Sequence, residues 1–174
     1  MKRPSLILVS VSLAVAASCG ITENLPAPPA MVTFRLQNDG AQPVFLSQNC
    51  LIDYTITSLA APVHGITRVD GCACSCGVTG CSVCGACAHG AIAVPVGMSQ
   101  NDLWRAVDFT TESTSTGSCV REHKLPLGPY RIDVPVYTSE ADATALTGAR
   151  TATQSFTLPE SGILSVDVAV GASP

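Results

Sequence analysis

The stretch 125-LPLGPYRIDVPV-136 decides how this chain reads. From Tyr130 onward, Tyr130, Ile132, Val134 and Val136 alternate with Arg131, Asp133 and Pro135. That is the period of a strand with one buried face. Pro135 has no amide hydrogen to give to a ladder, which favours an edge position for the strand. The alternation recurs on both sides of it. Val32, Phe34 and Leu36 oppose Thr33, Arg35 and Gln37, and 38-NDG-40 then supplies the turn chemistry of a hairpin. Asp-Gly tolerates positive φ, so Val44, Phe45 and Leu46 begin the return strand. In residues 50–58, Ile52, Tyr54 and Ile56 share a face, with Cys50 on the same inward parity. Residues 91–96 and 103–110 are further strands, parted by turn formers at 97–101. The chain closes with a strand at 155–158, a turn at 159–162, and Leu164, Val166, Val168 and Val170 on one face. No long stretch carries the 3.6-residue apolar period of a helix, and 139–146 predicts one short helix.

Seven or eight short strands separated by turns predict an all-β fold. The expected architecture is an antiparallel β-sandwich of immunoglobulin-like or transthyretin-like topology. The Leu-Pro-x-Gly-x-Tyr-x-Ile string at 125–132 is similar to the strand entry of many secreted bacterial sandwich domains. That supports the class and selects no family.

The N-terminus reads as an address. Lys2 and Arg3 precede an uncharged apolar stretch at 6–17, and 16-AASC-19 places small residues before a cysteine. The segment resembles the lipobox of bacterial lipoproteins, with Ala16 where most carry Leu. The resemblance implies cleavage after residue 18, lipidation of Cys19 and anchoring to a membrane through that lipid. Gly20 follows the cysteine where an Asp would imply inner-membrane retention, so the resemblance implies the outer membrane. The alternative is an ordinary signal peptide cleaved nearby. A spanning helix needs about twenty apolar residues, more than this stretch offers. The expected organisation is a signal peptide at 1–18, a lipidated N-terminus and Pro-punctuated tether at 19–30, and one domain at 31–171 with a cysteine-rich insertion at 71–90.

Of 174 residues, nine are Lys or Arg and thirteen Asp or Glu. Without Lys2 and Arg3 the balance is seven against thirteen, a formal −6, with no basic run. Nucleic acid is therefore not an expected partner.

The chemistry lies in the cysteines. Beside Cys19 there are Cys50, Cys119 and six packed into 72-CACSCGVTGCSVCGAC-87. An even set of eight in an exported chain predicts disulfides, with 105 possible connectivities for eight cysteines. One reading pairs Cys50 with Cys119, and sets Cys72, Cys74 and Cys76 opposite Cys81, Cys84 and Cys87 across the glycine-rich 77–80 reversal. The bridges would then replace a core the segment lacks. The other reading is a metal. The C-x-C and C-x-x-C spacings resemble those of metallothioneins, and the same six thiolates with His89 would suit Zn²⁺ or Cu(I). An oxidising compartment opposes it, since bare thiolates there form disulfides. A thioredoxin-type site at Cys81–Cys84 or Cys84–Cys87 would need a helix N-terminus, and the residues that follow read as loop and strand.

No nucleophile elbow, phosphate-binding glycine loop or H-E-x-x-H is present, and His64, His89 and His123 are scattered. Glu122-His123 reads as a solvated pair, Trp104 as a packing residue, and Asp102 and Asp108 lack a calcium-loop series. Taken whole, the chain resembles the cysteine-rich lipoproteins of bacterial envelopes. The expectation is a non-enzymatic interaction or structural module without a cofactor, lipid-anchored at the envelope and facing an envelope protein or glycan. The rival is a Zn- or Cu-binding lipoprotein.

Overall fold

The structure, a computed structural model, describes residues 29–78, 87–115 and 117–171. The expectations for residues 1–28, Cys19 among them, and for Cys81 and Cys84 lie outside the described residues. Strands dominate, arranged in several sheets around a shared core.

The stretch around Tyr130 builds the longest ladder. β10 (Gly128–Val136) runs antiparallel to β11 (Arg150–Leu158), from Gly128 opposite Leu158 to Val136 opposite Arg150. Tyr130 is 1% exposed, and its hydroxyl donates to the Pro126 carbonyl at 2.8 Å. The ring is buried while its polar tip is satisfied by the turn the chain has just left. Gly128, at φ 148°, gives that turn a conformation that side chains other than glycine rarely adopt. On its other side β10 pairs with β4 (Thr55–Ser58), and β4 with β5 (His64–Ile66), so β10 is an interior strand. This corrects the edge position expected from Pro135. The proline fits because β4 is in register only with residues from Tyr130 to Asp133. Beyond it, the amides of Phe45 and Tyr137 exchange hydrogen bonds at 2.9 Å, and Pro135 falls between the two pairings.

A second sheet has the order β12 (Ile163–Ala169), β1 (Met31–Gln37), β7 (Ser99–Arg105). β1 is antiparallel to β7 but parallel to β12, so the arrangement is not wholly antiparallel. The hairpin expected across 38–40 does not form either. β2 (Val44–Asn49) leaves the sheet of β1 and pairs with β6 (Gly90–Val94) and the two-residue β3 (Leu51–Ile52). Gly40 is not in the left-handed region, and a side chain there would collide with the Gly171 backbone. It is a glycine of close approach, not of a turn. Asn38 is fully buried, and its amide donates to the Val94 carbonyl at 2.8 Å and the Gln42 carbonyl at 2.9 Å. The end of β1 is thereby tied to β6, and the chain crosses to another sheet instead of folding back.

Residues 103–110 split at Ala106 into the end of β7 and β8 (Val107–Thr114), which forms a hairpin with β9 (Gly117–Lys124). The short helix is α1 (Glu140–Ala145). Ser139 caps it by accepting from the Asp142 amide at 3.1 Å, and Leu146 ends it in the left-handed conformation.

Val32, Phe34 and Leu36 on β1, Ile132 and Val134 on β10 and Ile56 on β4 have no exposed surface. The Phe34 ring meets Tyr54 at 5.4 Å and Phe156 at 5.5 Å, and Phe156 stacks on Tyr130 at 5.9 Å. The inner face of the β1 sheet thus packs on that of the β10 sheet, each large apolar side chain contributing about 1.5–3 kcal/mol.

Replacing Tyr130 with Phe keeps the ring and leaves the Pro126 carbonyl without its donor. The expected loss is about 1–2 kcal/mol, read as a lower urea midpoint with an unchanged slope. An unchanged midpoint would show that this hydrogen bond does not hold the strand entry.

Candidate functional site

The cysteine-rich segment is rooted in a half-buried polar cluster just ahead of it. Arg68 donates to the carbonyls of Ile52 and Tyr54 at 3.0 and 3.2 Å and to Asp102 Oδ2 at 3.3 Å. Its guanidinium also lies 3.5 Å from the centre of the Tyr54 ring. Tyr54 completes the cluster by donating its hydroxyl to Asp102 Oδ2 at 2.6 Å. Burial pushes the Tyr54 hydroxyl far above its ordinary range, against the Arg68 charge and aided by the Asp102 hydrogen bond. Burial also lowers the Arg68 pKa, against the pull of Tyr54, Asp102 and Asp53. One residue before, the Thr67 amide donates to Asp108 Oδ1 at 2.8 Å.

From this root the chain turns on Asp70, whose carboxylate accepts from the Cys72 amide at 3.0 Å and whose carbonyl accepts from the Ala73 amide at 3.2 Å. Residues 74–76 then lie along β9. The Val120 amide donates to the Cys74 carbonyl at 2.7 Å, and the Cys76 amide donates back to the Val120 carbonyl at 3.0 Å. Cys76 and Cys119 close this contact with a disulfide, Cα–Cα 5.0 Å. The far end is held by Cys87, bonded to Cys50 with Cα–Cα 5.2 Å. Two bridges therefore make the segment a strap from β9 to the β2–β3 turn.

This corrects the pairing expected between Cys50 and Cys119, and the set of three bridges confined to 72–87. Cys50 does not continue a strand facing inward. It is exposed and sits at φ 63° in the sharp turn between β2 and β3. Cys119 is on β9, a strand whose polar composition hides it, and residue 76 is its backbone neighbour. Cys72 and Cys74 are disulfide-bonded as well.

Described members of the expected metal set are engaged elsewhere. Cys76 and Cys87 are bonded to partners outside the cluster, and His89 is 3.4 Å from the Asn49 amide nitrogen. Two groups bring carboxylates to sulfur within 4.8 Å, Asp70 beside Cys50 and Cys87, and Glu112 beside Cys76 and Cys119. Their sulfurs are disulfides, so a metal would find thiolates there only after reduction.

The hairpin of β8 and β9 is held by cross-strand charge. Arg121 donates to both Glu112 oxygens, and the Arg121 Nη2 contact is 2.8 Å. This hydrogen bonding holds the Glu112 carboxyl below the usual range. His123 Nε2 is 2.8 Å from Thr110 Oγ1, and Arg105 of β7 donates to Glu122 at 2.9 Å. Glu122 and His123 are thus each engaged with a different neighbour. His64, in turn, lies 3.0 Å from the Pro62 carbonyl through Nδ1.

Strap, hairpin and β7 line an open cleft of about 330 Å³ that Trp104 also borders. A second of about 350 Å³ opens between β2, β3 and β4, and Arg68 and Leu51 line both. The sequence reading missed the Arg68 cluster, β9 and both clefts. The signal available to it was Tyr54, a buried residue with a polar tip between β3 and β4.

Comparison with family models, with curated proteins and with solved structures finds no match. Among the described residues no helix is long and apolar enough to cross a membrane.

Removing both partners of one bridge, as C50A/C87A or C76A/C119A, is expected to cost roughly 2–5 kcal/mol in each case. Within a bridge, the second substitution adds little to the first, while C50A and C119A, which break different bridges, cost clearly more together than either does alone. Additivity within C76A/C119A would overturn that pairing. Arg68→Ala leaves Asp102 without its counter-charge and is expected to cost roughly 3 kcal/mol. A spectrophotometric alkaline titration is expected to leave Tyr54 un-ionised until the wild type unfolds, and the variant, having lost a charge that favours the phenolate, is not expected to ionise it earlier.

Proposed function

We propose that this chain is a lipid-anchored protein of the bacterial cell envelope. Its all-β domain, a β-sandwich of immunoglobulin-like or transthyretin-like kind, acts as a non-enzymatic interaction module. The observation that carries the reading is the pair of bridges, Cys50–Cys87 and Cys76–Cys119, which pin a cysteine-rich strap to two separate parts of the fold. Such bridges persist in oxidising compartments and not in a reducing cytosol, which agrees with export through the segment 1–18. Anchoring rests on the lipobox-like AASC at 16–19, and outer-membrane sorting rests on Gly20. The packing of the β1 sheet on the β10 sheet supports the sandwich, and the tyrosine hydrogen bond at the start of β10 has the form seen at a sandwich corner. The strap is the face offered to a partner.

Two measurements test this. Cys19→Ser is expected to abolish lipid labelling and move the protein from the membrane to the soluble fraction. A variant that stays in the membrane fraction with its lipid would sink the anchor. The intact mass of the exported Cys19→Ser chain is expected to be about 8 Da below that of its reduced form, four disulfides, with no metal. A native mass raised by zinc or copper, with free thiols after chelation, would make the cluster a metal centre instead.

A further inference from the structure

We infer that the end of the domain at which the chain enters from the tether docks on a lipid bilayer, through the exposed side chains of Val63, Leu127 and Ile163. The inference rests on the anchoring proposed above, which brings that end to a membrane. Its test uses a chain without the Cys19 lipid, so that docking and anchoring fail separately.

The first observation is where three loops meet. β10 starts at Gly128 opposite Leu158, the last residue of β11, and Tyr130 near that start is opposite Ser58, the last residue of β4. Ser58 is in turn opposite His64, the first residue of β5, and the Leu59 amide donates to the Pro129 carbonyl at 2.9 Å. Residues 59–63, 125–127 and 159–162 therefore leave the sheet at one end. The last of these loops leads into Ile163, which pairs with Met31, and the Met31 amide donates to the Gly162 carbonyl at 2.8 Å. The first strand thus begins at the same end.

The second is what these segments carry. They read 59-LAAPV-63, 125-LPLGP-129 and 159-PESGI-163, with Glu160 their one charged residue. Val63 is 65% exposed, Leu127 55% and Ile163 79%. Each is a large apolar side chain that the fold leaves in water, and each stands on a different loop of the same end. The opposite end is acidic. Asp39 follows β1 there, and α1 carries Glu140 and Asp142 in its first turn with no basic residue in its last. Val96, Met98 and Leu146 are exposed as well, but on the segments that adjoin these acids. An anionic bilayer repels that end and lets the loop end approach.

The third is the chain that leads there. Eleven residues, 20–30, separate Cys19 from β1. Fully extended, they span at most about 40 Å. A lipid on Cys19 therefore confines this end of the domain close to the bilayer, at an effective concentration of order millimolar. A soluble partner has no such confinement. The bilayer is the apolar phase these three side chains meet most often, and each gains by the area it removes from water there. A lipid anchor and an apolar contact then act as two signals for one membrane.

The exported full-length chain carrying Cys19→Ser is mixed with nanodiscs of phosphatidylcholine and phosphatidylglycerol that contain a spin-labelled lipid, at the millimolar lipid concentration the tether imposes. The expected result is strong broadening of the methyl resonances of Val63, Leu127 and Ile163, with those of Val96, Met98 and Leu146 left sharp. Val63→Ser, Leu127→Ser and Ile163→Ser together should weaken binding about tenfold with an unchanged urea midpoint. Val96→Ser with Met98→Ser, at the acidic end, should leave binding as it was. No broadening, broadening alike at both ends, or binding unaltered in the triple variant would overturn the inference. So would a dimer in lipid-free solution that the triple variant disperses, since the loops would then belong to a second copy. Lipid labelling of the wild type reports the anchor independently of all these outcomes.

Discussion

The cysteine-rich segment cannot order itself by burial, and the rest of the molecule is arranged around that constraint. Between Cys72 and Cys87 the only large apolar side chains are Val78 and Val83, and Val78 is 62% exposed. No hydrophobic term of useful size is available to offset the entropy of fixing such a chain. Covalent bonds take its place. The loops closed by Cys50–Cys87 and Cys76–Cys119 have sequence separations of 37 and 43 residues, and the chain-entropy model assigns each about 4 kcal/mol. The two loops interleave along the sequence, each enclosing one cysteine of the other. They therefore constrain one another, and their effects are not two independent increments.

Where the bridges land explains the polar hairpin. β8 and β9 carry Thr, Ser, Glu, Arg and His at most positions, and most of their residues are exposed or half-buried. An isolated two-stranded ribbon of this composition is marginal in water. Here the ribbon gains a short third partner, since residues 74–76 exchange two backbone hydrogen bonds with Val120 and the Cys76 bond locks that register. The strap and the hairpin each supply what the other lacks. Their junction is one wall of the open cleft that Trp104 also borders.

Strands with a face in the core were legible in the sequence, and so was the helix, because burial writes a period into the chain. β1, β10 and β12 follow the alternation of Phe34, Ile132 and Val166, and α1 starts at its Ser139 cap. Elements whose position is decided at long range were not. Asp39-Gly40 has the local chemistry of a hairpin turn, yet Gly40 is there because Gly171 passes against it. Pro135 has the local mark of an edge, yet it falls between two pairings of an interior strand. Cys50 has inward parity, but the left-handed backbone at that residue breaks the strand and turns the thiol toward Cys87. β9 has no apolar period at all, because covalent and backbone bonds rather than burial hold it. In the candidate site, that the described cysteines are bonded was readable from their even number. Their partners were not, because pairing depends on which distant backbone lies alongside.

The Arg68 cluster supplies the remaining condition for a preformed cleft. A half-buried ion pair such as Arg68–Asp102 is weak evidence of stability, since desolvating two charges offsets much of their attraction. Its value lies in leaving few alternatives. The Arg68 guanidinium satisfies two backbone carbonyls and a carboxylate and stacks on an aromatic ring, and Asp102 takes both Arg68 and the Tyr54 hydroxyl. Shifting the strap root would orphan several of these groups at once, each in a poorly solvated place. Arg68 lies four residues before Cys72, and Asp70 between them fixes the turn through the Cys72 and Ala73 amides. The cluster and the Asp70 turn therefore set the direction in which the strap leaves the core, toward β9 and Cys119. A half-buried polar cluster thus directs the chain toward the Cys76–Cys119 pairing, and the two bridges hold the strap beside the cleft.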